Sequence, residues 1–98
     1  MKLLVSLNKK ELDDYLNYTN SFIIGLKEFS INYLEFSLKE IKELLIKYPN
    51  IELFVSINKN IFNNELDLLK EYLIELSKLS IKGILFYDNY HITLNYYI

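Results

Sequence analysis

The chain has no cysteine and no tryptophan, and only one proline, two glycines and one histidine. Without cysteine there are no disulfides, no thiolate metal sites, no iron–sulfur ligands and no cysteine nucleophile. Two glycines cannot build a phosphate-binding glycine loop. Arginine is absent too, since all 11 basic residues are lysines. They form no basic stripe, net charge is −2 and the pI is about 5.4, a balance that argues against nucleic-acid binding by the chain on its own. No apolar run approaches the length of a membrane span. The opening MKLLVSLNKK is too short in its apolar part for a signal-peptide core. The expected setting is cytoplasmic, with no membrane partner and no cofactor.

What is present is apolar and aromatic. The 98 residues suit one domain, 51% of them are hydrophobic, and there are nine tyrosines and six phenylalanines. Ile51, Leu53, Val55 and Ile57 alternate with Glu52, Phe54, Ser56 and Asn58, the period-two pattern of a strand. Similar signals predict strands near residues 3–7, 22–26 and 83–87. Helices are expected near 9–18, 37–48 and 64–79. Asn8 with Glu11 and Ser37 with Glu40 read as capping boxes, and Asn64 reads as a third cap. Leu66, Leu69, Leu73 and Leu76 form the apolar stripe of the last helix. Tyr48-Pro49-Asn50 ends the middle one. Residues 27–36 make a long loop. Strands alternating with crossover helices predict an α/β fold with a parallel sheet. The repeat of about 30 residues is that of a (β/α) barrel, here a (βα)3β half truncated after strand four. Residues 1–88 are expected to form this half-barrel and 89–98 an irregular or extended tail. The alternating Ile92, Leu94, Tyr96 and Ile98 could cover a sheet edge or pair with a second chain.

Four segments, FIIGLKEFS (22–30), SLKEIKELL (37–45), VSINKNIFNNEL (55–66) and IKGILFYD (81–88), together resemble the N-terminal part of peptidase family U-thirty-two, the collagenase-like proteases. Members of that family are longer and carry a (β/α) barrel, of which this chain would be roughly the first half. The resemblance implies collagen or peptide hydrolysis, and in some members RNA base hydroxylation with iron–sulfur chemistry on cysteines further along the chain. Those cysteines have no counterpart here, so the chain is expected to be inactive by itself.

Polar residues near the C-terminal ends of the strands are the substrate-binding candidates: Ser6, Asn8, Ser56, Asn58 and Asp88, with Gly25 leaving space beside them. Their bland roles are capping, loop hydrogen bonding and small core residues. His91 with Asp88 lacks a second histidine to complete a metal site, and no nucleophile elbow is present. No complete catalytic constellation can be assembled. Two functions lead: an inactive peptidase fragment, or a non-catalytic module that associates with itself as a homodimer or with the missing half of a barrel; a flavodoxin-like small-ligand receiver is the weaker third, since neither an acidic cluster nor a phosphate loop marks the strand ends.

Overall fold

The computed structural model describes residues 4–30, 33–58, 63–87 and 92–95. The elements are β1 (Leu4–Ser6), β2 (Ser21–Leu26), β3 (Glu35–Phe36), α1 (Leu38–Lys47), β4 (Glu52–Ile57), α2 (Leu66–Ser77), β5 (Gly83–Tyr87) and β6 (Ile92–Asn95). They form a small α/β domain. β1, β2, β4 and β5 lie side by side in chain order and all pair in parallel. The strands expected from period-two patterning are therefore all present.

Two further strands stand beside the four expected ones. β6 pairs antiparallel with β5, through Leu85 with Leu94 and Tyr87 with Ile92. In a closed (β/α) barrel that position belongs to a fifth parallel strand. The tail thus contributes to the same sheet. β3 arises inside the long loop and pairs with the end of β2, Gly25 with Glu35 and Leu26 with Phe36. It prolongs the β2 edge on which β1 lies, because the Leu7 N–H reaches Ile23 O and the Gly25 N–H reaches Leu34 O on the same side.

The helix expected at 9–18 is replaced by successive turns. Leu16 N–H bonds to Leu12 O and Thr19 N–H to Tyr15 O, with no continuing ladder. Leu12 is fully buried and Tyr15 packs edge-on against Phe22, but Leu16 is 41% exposed, so the apolar stripe stops after one turn. The following Asn17, Tyr18, Thr19 and Asn20 are weak helix formers. Asn8 caps nothing helical; its Oδ1 accepts a 2.5 Å hydrogen bond from the Tyr15 hydroxyl.

α1 starts as expected. Ser37 Oγ accepts from the Glu40 N–H and Glu40 Oε1 accepts from the Ser37 N–H, a complete capping box. The Tyr48 N–H closes the helix on Leu44 O, ahead of Pro49. α2 begins later than expected: Asn63–Glu65 form a single 3₁₀ turn, and among the described residues no side chain caps the helix that follows. The stripe is also shifted. Leu69 and Leu76 are buried, Leu73 is half-buried, and Leu66 is 40% exposed.

Both helices cover one face of the sheet. Phe22, Ile24 and Leu26 of β2, Leu53, Val55 and Ile57 of β4, and Ile84 of β5 share a core with Ile41, Leu44, Leu69 and Leu76. Phe29 joins this core and meets the Tyr72 ring edge-on at 5.4 Å. β2 is buried along its whole length, which is why its apolar run is nearly continuous.

Candidate functional site

The register decides which candidates share a surface. Ser6 pairs with Ile23, and Gly25 pairs with Ser56. Side chains alternate along a strand. Ser6, Gly25 and Ser56 therefore lie on one face, opposite the helices, near the C-terminal ends of their strands. Asn58 follows β4 and is half-buried; its N–H donates to Phe29 O at 3.2 Å. Asn8 lies just past β1, turned onto Tyr15. Asp88 and His91 lie outside the described residues.

The space beside Gly25 is already taken. A Cβ at this position would stand 2.8 Å from Ser30 Cβ and 3.2 Å from Tyr33 Cβ. The glycine admits the returning loop against the strand. The expectation that it opens a polar pocket is corrected accordingly: the gap is filled by the protein itself.

Ser30, not among the sequence candidates, is the centre of this arrangement. Its Oγ accepts the Leu26 N–H at 2.7 Å and donates to the Ser56 carbonyl. Leu26 is the last residue of β2, and its N–H points toward β4, because Gly25 and Lys27 direct theirs to the opposite edge. One hydroxyl therefore replaces a ladder rung between β2 and β4 where the strands diverge. Ser30 is 3% exposed. The turn that brings it back is closed by the Phe29 N–H on Leu26 O, with Glu28 at φ 79°. A type II turn normally places glycine there. The signal available in the sequence was a glycine five residues before a serine, which says nothing until the loop is known to fold back.

Ser56 is fully buried, and its Oγ has no hydrogen-bond partner among the described residues. A hydroxyl in that state has neither solvent access nor a base to activate it. Among the described residues, no group of three or more His, Cys, Asp or Glu side chains is placed to hold a metal ion. Nor does any described helix have the length and apolar character to cross a membrane.

The pronounced electrostatic feature is elsewhere, at the start of α1. Lys10 pairs with Glu40, and this ion pair, helped by the Ser37 N–H, lowers the Glu40 carboxyl to about 2. Both partners are well exposed, so the pair links the turn region to α1 rather than poising a catalytic acid. Grooves open on the helix side of the sheet, between α1 and α2 and beneath Lys10 and Tyr48. Neither models of protein families, nor curated protein sequences, nor solved structures give a match to this chain.

Proposed function

We propose that this chain is a non-catalytic interaction module that associates with a second copy of itself. The observation that carries the reading is the use of the strand-end hydroxyls. Ser30 is committed to stitching β2 to β4, Ser56 is sealed beneath it, and Gly25 is packed against both Ser30 and Tyr33. Of these hydroxyls one holds the sheet together and the other is closed off from any substrate. Exchange with solvent and partners falls to the outer surface, where Ile46 is 73% exposed and Ile74 57% exposed. On the sheet itself, β6 occupies the β5 edge, and the opposite edge is divided between β1 and β3, which have three and two residues among those described. Short edge strands are poor templates for pairing. The helix layer is the better place for a partner.

The second reading is an N-terminal fragment of a collagenase-like peptidase. It is favoured by four parallel strands in chain order with Ser6, Gly25 and Ser56 on one face. Light scattering coupled to size exclusion across a wide concentration range, run beside gelatin and peptide hydrolysis assays, separates the two. The module reading expects a concentration-dependent dimer and no turnover. Turnover that Ser6→Ala or Ser56→Ala abolishes would establish the peptidase instead.

A further inference from the structure

The groove between α1 and α2 carries an arrangement of charge that suits one kind of partner. One part, of about 390 Å³, is lined by Leu38, Lys39, Lys42, Glu75, Lys78 and Leu79. An adjoining part, of about 300 Å³, shares Leu38 and Glu75 and adds Glu71, Tyr72 and Ile74. The two form a single depression running along the outer side of α2. Glu71, Ile74 and Lys78 recur at helical spacing on this side, and all three are exposed. Lys78 follows the last helical residue but keeps helical angles, φ −83° and ψ −10°, so the stripe continues through it. Acid stands at one end and base at the other, with Ile74 and a second acid, Glu75, between them.

A two-fold axis relates such a surface to itself. In an antiparallel pair of α2 helices, residues equally distant from the axis face each other. With the axis between Ile74 and Glu75, Glu71 lies as far before it as Lys78 lies beyond it. Building on the self-association reading above, we propose that a second copy of this chain docks on the outer face of α2. Glu71 of each protomer then meets Lys78 of the partner subunit, and Ile74 of each lies level with Glu75 of the partner subunit beside the axis. Lys39 and Lys42, on the α1 rim, add positive charge beside the acidic end of the incoming helix. The charge pattern selects a copy of the same chain, since any other occupant would have to reproduce the reversed acid–apolar–base order. Within one protomer Lys78 already contacts Glu75 at 3.2 Å, so its ammonium is held over the groove before a partner arrives.

The test is a charge exchange on the full chain, read by light scattering and sedimentation, with circular dichroism to confirm folding. Lys78→Glu alone and Glu71→Lys alone each set like charges together at two symmetric places. Each should weaken the dimer by about tenfold or more. The double variant restores opposite charges and should recover most of the affinity. Ile74→Asp should abolish the dimer while leaving the secondary structure intact, because Ile74 points outward. A dimer indifferent to all three variants, or single losses that the double variant does not repair, overturns this surface. A wild-type chain that stays monomeric throughout overturns the self-association reading itself, and this surface with it.

Discussion

Two serines on facing strands and loop should respond to mutation in opposite ways. Ser30→Ala removes a hydroxyl that satisfies both the Leu26 N–H and the Ser56 carbonyl. Leaving a buried backbone group unpaired costs about 1–3 kcal/mol. Ser56→Ala removes a buried hydroxyl that has no partner among the described residues, and should be neutral or slightly stabilising. Urea unfolding of the two variants tests the assignment, and equal losses would contradict it. A third residue tests the turn that places Ser30. Glu28 holds a left-handed backbone conformation, which disfavours a side chain by about 1–2 kcal/mol. Glu28→Gly relieves this but loosens the unfolded chain, so a net gain of up to about 1 kcal/mol is expected in the same assay.

At the scale of elements, α1 owes its start to Ser37 and Glu40, and that box was legible because both halves are local in sequence. Glu40 also ties α1 to Lys10, which no local pattern announces. The folded-state carboxyl, at about 2, lies below its ordinary value near 4.5. A lowered acid stabilises the fold above its unfolded pKa, and the contribution fades as pH falls from about 4.5 toward 2. Glu40→Gln should therefore cost about 0.5–1 kcal/mol at neutral pH, after allowance for solvent screening, and progressively less toward pH 2. Thermal melts of both proteins at several pH values check this. α2 makes a related point about stripes. Even apolar spacing does not say which leucine points to the centre; the 3₁₀ entry rotates the face so that Leu69 and Leu76 are buried. Leu76→Ala should lose about 2–5 kcal/mol and Leu73→Ala clearly less, measured by denaturant unfolding. The turns at 13–18 were misread as a helix because Leu12, Tyr15 and Leu16 have helical spacing, though only Leu12 is buried.

For the molecule as a whole, the parallel order of strands was readable from alternating patterns and caps, since each strand carries its own signal. The alternation of Ile92 and Leu94 allowed the tail an edge-covering role but did not say which edge, because what pairs with β5 depends on which groups the rest of the fold leaves open. The candidate site was half legible. Parity along the strands put Ser6, Gly25 and Ser56 on one face, whereas the loop that fills the gap beside Gly25 comes from outside any strand pattern. β6 now covers the N–H and C=O groups along one side of β5. A chain ending before Ile92 should uncover that edge and aggregate at concentrations where the full chain stays dispersed, a difference visible in static light scattering.

The adjacency of β1, β2, β4 and β5 in chain order bears on synthesis as well as on the finished sheet. Each strand docks beside one already made, and none must insert between two that are already paired. The widest interval between paired strand positions is that of β2 with β4, spanned by the short β3 and one helix. A polypeptide emerging from the ribosome can therefore add its strands one after another, with the antiparallel β6 closing the growing side last.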